Sequence, residues 1–326
     1  MHRSLLIVGP DIKNRGVGGV TIHVQRLRDY LDLEGLDYAF ADYKSNNLWG
    51  LLRLISKYKV VHYHVSNPVL LYFLVVCGRI MGKTVIVTLH GDYGRFGRIQ
   101  NWMTKRVIQL SSVPIVINEK SYAICKNINK NTMLIPAFIP PQNEELLQKE
   151  AMDLLDKLHS EGRKIVSTNA SNISVDKYGN EIYGIDFLVR FFKNSNRMVL
   201  VVSDPSGSYK KRYEELKSNS IFFIDYPHPY FQVLKHVDFF VRNTSTDGDA
   251  LSVKEALFLG VPALCTDVVD RPKGVRLYKY CDESSFESCL NECVGENVCV
   301  ENGAEKVVRI YKSVIGVENG FDQKCC

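Results

Sequence analysis

A chain of 326 residues exceeds one ordinary domain and accommodates two, each long enough to bury a core of its own. With 45% hydrophobic and 24% charged residues and no long Pro-, Gly- or single-charge tract, the composition excludes a disordered or collagen-like chain. The formal net charge is +5, with the excess of Lys and Arg in the first 150 residues and a slight excess of Asp and Glu beyond them. A basic first half suits a phosphate-bearing partner or an anionic membrane surface as well as a plain solubilising surface.

The first apolar run, Leu5–Val8 before Gly9-Pro10, is too brief for a signal peptide and reads as a β-strand, so a cytoplasmic location is expected. A helical pattern over Val20–Leu33 follows, then strands over Tyr38–Ala41 and Val60–Val65. Val69–Met81 reads as a buried helix, because its greasiest part, Val69–Cys77, falls short of the roughly 20 residues of a membrane span. The alternation continues through a strand at Thr84–Leu89, a helix at Arg98–Leu110, a strand at Pro114–Asn118, a helix at Lys120–Asn127 and a strand at Thr132–Ile135. Pro136, Pro140 and Pro141 interrupt it, and an amphipathic helix over Asn143–Ser160 leads into a new strand, Lys164–Thr168.

Beyond that point, helices are expected at Gly184–Asn194, Tyr209–Ser218, Tyr230–His236 and Ser252–Leu259. Strands are expected at Met198–Val202, Ile221–Ile224, Phe239–Val241 and Ala263–Cys265, and a last helix at Ala304–Ile315. Val- and Ile-rich strands alternating with helices imply an α/β chain of two Rossmann-like, doubly wound parallel-sheet domains. The nine cysteines are odd in number and match no paired zinc-ribbon spacing, so they read as free thiols. The Asn-x-Ser sequons at Asn169, Asn172 and Asn243 carry little meaning without export.

The richest stretch runs Arg242-Asn243-Thr244-Ser245-Thr246-Asp247-Gly248-Asp249-Ala250-Leu251-Ser252-Val253-Lys254-Glu255-Ala256 and ends at Gly260-Val261-Pro262. A polar loop enters a helix whose free N–H groups and dipole favour a phosphate. Asp247 and Glu255 offer carboxylates to sugar or ribose hydroxyls; the alternative is that Asp247 caps the helix and Glu255 lies on a solvated face. This stretch resembles the nucleotide-binding signature of the large retaining glycosyltransferase family of GT-B type, Glu-Gly-Phe-Gly-Leu-x-x-x-Glu-Ala-x-x-x-Gly-x-Pro. Glu255, Ala256, Gly260 and Pro262 match, and Asp247 stands at the first carboxylate.

The resemblance implies a GT-B fold with the two domains facing across a cleft. The expected division is an acceptor domain over 1–145, with a C-terminal helix in 303–326 packing back on it, and a nucleotide-sugar domain over 146–302. It implies that Glu255 binds the donor ribose, that Asp247 meets the hydroxyls of the transferred sugar, that the backbone of Ala250 and Leu251 meets the diphosphate, and that Gly248 belongs to the same donor site. Gly16-Val17-Gly18-Gly19 after the first strand resembles the family's glycine loop, which places Gly18 and Gly19 against the donor. His90, at the family's His-Gly position, would hydrogen-bond the sugar or the acceptor. His62 reads as a structural histidine, and His64 is left open between a structural role and a site role. No nucleophile, cofactor or obligatory metal is implied.

The motif itself departs from the family, with Asp247 for the first Glu and Asp249 and Ala250 for Phe and Gly, and the diphosphate cations depart further. The lysine that usually precedes Gly184-Ile185-Asp186 is replaced by Tyr183, and the usual diphosphate arginine is missing. Arg242 and Arg271, both expected at strand ends, are candidates to replace these cations, the alternative being local salt bridges. The resemblance implies transfer from a nucleoside-diphosphate sugar to a glycan or lipid-linked acceptor, with retention, in envelope polysaccharide synthesis. A catalytically silent GT-B partner subunit and a GT-B nucleotide-sugar 2-epimerase are the alternatives. No nucleic-acid partner is expected. Arg95–Arg106 mixes cations with Phe96, Ile99, Trp102 and Met103, which suits peripheral docking on the inner face of an anionic membrane or, equally, ordinary packing of Trp102 beside exposed cations. Tyr226-Pro227-His228-Pro229-Tyr230 is a candidate wall for the nucleotide base.

Overall fold

The computed structural model describes residues 4–11, 18–143, 145–176, 179–247, 250–292 and 298–316. The chain divides into two compact units, Met1–Asn143 with Glu301–Cys326, and Glu144–Val300.

The first unit contains β1 Leu5–Gly9, α1 Gly19–Leu33, β2 Tyr38–Asp42, α2 Leu48–Ser56, β3 Val60–Tyr63, α3 Pro68–Ile80, β4 Thr84–Leu89, α4 Arg98–Leu110, β5 Val113–Val116, α5 Glu119–Ile128 and β6 Met133–Leu134. Its six parallel strands lie in the order β2-β1-β3-β4-β5-β6. Successive side chains point to opposite faces. Leu6, Val8, Val61, Tyr63, Val85 and Val87 pack on α2, α3 and α4 through Leu51, Ile55, Leu71, Leu74 and Val107. Leu5, Ile7, Val60, Ile86 and Ile115 pack on Leu27 and Leu31 of α1 from the other face. Burial on both faces is why these strands are continuous apolar runs rather than alternating ones.

The second unit contains α6 Lys149–Ser160, β7 Lys164–Asn169, α7 Ile185–Phe192, β8 Met198–Ser203, α8 Ser208–Arg212, β9 Ile221–Ile224, α9 Tyr230–Leu234, β10 Phe239–Arg242, α10 Leu251–Phe258, β11 Ala263–Thr266, β12 Arg276–Tyr278 and α11 Glu283–Glu292. Its parallel sheet runs β12-β11-β10-β7-β8-β9. The last helix, α12 Gly303–Ile315, belongs to the first unit and adds Ala304, Val307, Val308 and Tyr311 to the face covered by α1. A Cβ at Gly303 would collide with the Pro136 carbonyl oxygen, and the Gly303 N–H donates to Phe138 O at 2.8 Å, so α12 begins where only a bare backbone fits.

The elements depart from the sequence reading mostly at short or edge pieces. α2, capped by Asn47, which accepts from the Gly50 N–H at 2.7 Å, is an additional helix, as is α11, and β12 is an additional edge strand. The helix expected from Asn143 starts only at Lys149, after the Pro140-Pro141 segment. The helix expected to reach Ser218 stops at Arg212, because only Tyr209 of it is buried and Lys210, Lys211 and Arg212 offer no apolar face to continue. Residues 317–326 of the expected C-terminal segment lie outside the described residues.

Candidate functional site

In the second sheet the chain runs β7 to β8 to β9 in one direction, then returns to place β10 on the other side of β7. Ligands of open α/β sheets bind at the carboxyl ends of strands beside such a reversal. Arg242 ends β10 there. Its Nη1 donates to the carbonyl and side-chain oxygens of Asn169, which ends β7, both at 3.2 Å. Its Nε and Nη2 donate to the two Asp247 oxygens at 2.8 and 3.2 Å. Arg271, beyond β11, donates through Nη1 to the same carboxylate at 2.9 Å and through Nη2 to Thr244 Oγ1 at 2.9 Å.

The side chains of Arg242, Asp247 and Arg271 are only 11%, 9% and 2% exposed, so water screens this cluster little. Burial opposes the charge on Arg242, but the Asp247 carboxylate outweighs it and raises the guanidinium above its ordinary range. Burial likewise pushes the Asp247 carboxyl up, and Arg242 followed by Arg271 more than reverses that. Two guanidiniums thus share one carboxylate. Arg271 Nε is buried with no hydrogen-bond partner among the described residues, which leaves a donor for a further acceptor. Tyr183 stacks on Arg242, with the guanidinium carbon 5.2 Å from the ring centroid.

Gly184 follows Tyr183 with φ +58°, and a Cβ there would strike Asn243. The Asn243 amide donates to the Gly184 carbonyl at 2.8 Å and accepts from the Tyr278 hydroxyl at 2.8 Å. The Gly-Ile-Asp turn is therefore seated directly on the residue after Arg242. Asp247 is not the helix cap: Ala250 occupies that position, without a side-chain hydrogen bond, and Leu251 begins α10. The Ala250 side chain therefore leaves the first N–H groups of α10 uncapped. Glu255 is buried at 4% exposure, not on a solvated face. Burial pushes the Tyr230 hydroxyl well above its ordinary range, its hydrogen bond with Ser167 opposes this, and the charge of Glu255 adds to it. His228 Nδ1–H donates to the Tyr226 carbonyl at 2.6 Å, so its Nε2 accepts from Ser203 Oγ, at the end of β8, at 2.7 Å. Gly248 and Asp249, with Gly16 and Val17 of the first loop, lie outside the described residues.

The first sheet reverses between β1 and β3. His64 follows β3 there, with its N–H donating to Val8 O at 2.7 Å. Its Nδ1 lies 2.9 Å from Nε2 of His90, which follows β4. His23, on α1, completes a cluster in which one ring nitrogen from each residue lies within 4.8 Å of the others. His62, two residues earlier on β3, is wholly buried between Thr88 Oγ1 at 2.8 Å and the Tyr311 hydroxyl at 2.5 Å, a structural link to α12. Burial lowers the pKa of His62 to about 3 and holds His64 and His90 well below the ordinary histidine range. Gly18 caps α1 in an extended conformation, and both Gly18 and Gly19 are exposed, with open space where a Cβ would project.

No family model matches the chain, and no curated protein matches it. Solved structures do. HepE from Anabaena, crystallised with UDP and glucose, superposes with a TM-score of 0.64 at 11% identity, over 97% of this chain and 99% of that one. The fold is GT-B. A glycosyltransferase from Rickettsia africae gives 0.65 at 13% identity over 96% and 98% of the two chains. Sucrose-phosphate synthase from Thermosynechococcus elongatus gives 0.64 at 13% over 97% and 100%. Sequence identities this low carry the GT-B architecture and nothing about individual side chains. Among the described residues no helix is long and apolar enough to cross a membrane.

Sequence reasoning missed the part played by His23, which sits unremarked in a helical pattern, and by Thr244. The only signal for Thr244 was its place in the loop after Arg242.

Proposed function

We propose that this GT-B chain transfers a sugar from a nucleoside-diphosphate sugar to a glycan or lipid-linked acceptor, with retention of configuration, in the synthesis of a cell-envelope polysaccharide. The observation that carries the reading is the buried Arg242–Asp247–Arg271 cluster at the reversal of the second sheet. Arg242, Arg271 and the N–H groups that open α10, at Ala250 and Leu251, receive the diphosphate and stabilise it as it departs. Asp247 holds both guanidiniums in orientation beside the sugar, with Gly248 in the same loop, and Glu255 takes the ribose hydroxyls. In the first unit His90, Gly18 and Gly19 offer a neutral imidazole and open backbone to the sugar or its acceptor. Catalysis by positioning and leaving-group stabilisation requires no obligatory metal.

HepE has been crystallised with UDP and with UDP-glucose, which makes uridine the first base to test. Thermal unfolding of the purified chain is measured with UDP, GDP and ADP, then repeated with Glu255→Ala and Arg242→Ala. A rise in Tm with one nucleotide, lost in both variants, is the expected result. No rise with any nucleotide transfers the case to a catalytically silent GT-B subunit, a reading favoured by one observation: Tyr183 occupies the position of a family lysine.

A peripheral position on an anionic membrane, from the cytoplasmic side, belongs to the same proposal. On α3 and α4 the side chains of Val69, Phe73, Ile99 and Trp102 are 49%, 40%, 72% and 50% exposed. Arg106 lies over the Trp102 ring at 5.5 Å. Flotation with phosphatidylglycerol vesicles that disappears in Ile99→Asp supports this placement; flotation unchanged by that substitution removes it.

A further inference from the structure

We infer that His23, His64 and His90 form a binding site for a divalent transition-metal cation of the zinc class at the carboxyl end of the first sheet. The three residues are far apart in sequence and come from three elements, yet one ring nitrogen from each lies within 4.8 Å of the others. A tetrahedral zinc with bonds of about 2.0–2.1 Å holds its nitrogen ligands roughly 3.4 Å apart, between the 2.9 Å of the His64–His90 pair and the 4.8 Å limit of the cluster.

The hydrogen bonds around the rings match what a metal-binding histidine needs. His23 Nδ1 lies 2.7 Å from the Ala137 carbonyl oxygen, which can only accept, so the proton sits on Nδ1 and the lone pair on Nε2. Donation of the distal N–H to a backbone carbonyl is the usual outer-shell support of a ligating histidine. His64 is wholly buried, and its Nδ1 faces His90 Nε2.

Protonation state agrees with this geometry. Burial, reinforced by mutual repulsion among the rings, holds His64 and His90 neutral, the form that offers a lone pair. His64 Nδ1 and His90 Nε2 share one proton across 2.9 Å, a contact that a cation would replace. His90 is partly exposed, which gives the cation a path from solvent. Nitrogen ligands of this kind favour zinc, nickel or copper over magnesium or calcium. A bound cation would take His90 away from hydroxyl contacts, so it would act as a modulator of the first unit rather than as a reactant.

The inference stands apart from the transferase reading, because its readout is metal content. The full chain is stripped with EDTA, its accessible thiols are blocked, and zinc uptake is followed by equilibrium dialysis and mass spectrometry. Roughly one zinc per chain is expected, with affinity lowered at least about tenfold by His23→Ala and by His90→Ala and unchanged by His159→Ala. His90 is partly exposed, so its replacement is the variant least at risk of misfolding, and a native circular dichroism spectrum verifies it. Cobalt substitution should give the visible absorption of a four-coordinate site with three nitrogen ligands and a water, absent in His90→Ala. Failure to take up zinc stoichiometrically overturns the inference, as does uptake that survives the His23→Ala, His90→Ala double substitution.

Discussion

The two sheets build their carboxyl edges at equivalent reversals of strand order and fill them with opposite chemistry. In the second unit, charge is kept in a nearly dry place by pairing: Arg242 and Arg271 close on Asp247 and hold its carboxylate ionised, and Asp247 holds Arg242 charged in return. In the first unit, charge is removed by burial, and His62, His64 and His90 stay neutral because desolvation penalises the imidazolium. One architecture thus supplies a cationic anchor and a neutral, lone-pair-rich cluster without any change of topology. Local pairing, rather than position in the fold, decides which.

The strongest way to break the contrast is to remove the shared carboxylate. Asp247→Ala leaves two buried guanidiniums uncompensated and should cost about 3–5 kcal/mol in urea unfolding, whereas a solvated surface pair would cost under about 1 kcal/mol. A loss of the smaller size would mean that water reaches the cluster.

Acid attacks the other edge. His62 has a folded pKa of about 3 against an ordinary 6.5, so below pH 6.5 the unfolded chain binds the extra proton. Stability is fully present above pH 6.5 and falls by about 1.4 kcal/mol per pH unit as the pH drops towards 3. Denaturant unfolding followed from pH 7 to pH 4 should show this decline, and His62→Gln, which cannot take that proton, should lessen the slope by about 1.4 kcal/mol per pH unit while His64 and His90 maintain the rest. A slope unaffected by the substitution would place the acid sensitivity elsewhere.

The smallest effect sharpens the role of Tyr183. Removing its ring from Arg242 by Tyr183→Ala should cost about 0.5–1 kcal/mol of stability and weaken nucleotide binding several-fold in calorimetry. Tyr183→Lys should restore nucleotide binding if the position serves the diphosphate, while leaving that stability loss in place.

Much of the fold was legible in advance, for a physical reason. Strands buried on both faces must be apolar throughout, so Leu5–Val8, Thr84–Leu89 and Met198–Val202 stand out from any polar surroundings. Pieces that meet the core on one side or not at all, such as α2, α11 and edge strand β12, carry no such pattern and escaped. Of the candidate site, Arg242, Asp247, Arg271, Glu255 and His90 were visible as polar residues where strands end or helices begin. Their partnerships were not, because Arg242 reaches Asn169 and Arg271 reaches Thr244 across connections whose lengths say nothing about direction.

By itself the sequence determined the alternation of strand and helix, and hence two doubly wound units, because hydrophobic periodicity is a local property of the chain. It also placed Arg242 and His90 at or just beyond strand ends, where the structure has them. Tertiary structure alone decided that Tyr183 stacks on Arg242, that Tyr311 from the last helix clamps His62, and that His23 joins His64 and His90. Those contacts depend on strand order and helix packing, which are set by the burial of whole faces and leave no trace in the spacing of the residues they bring together.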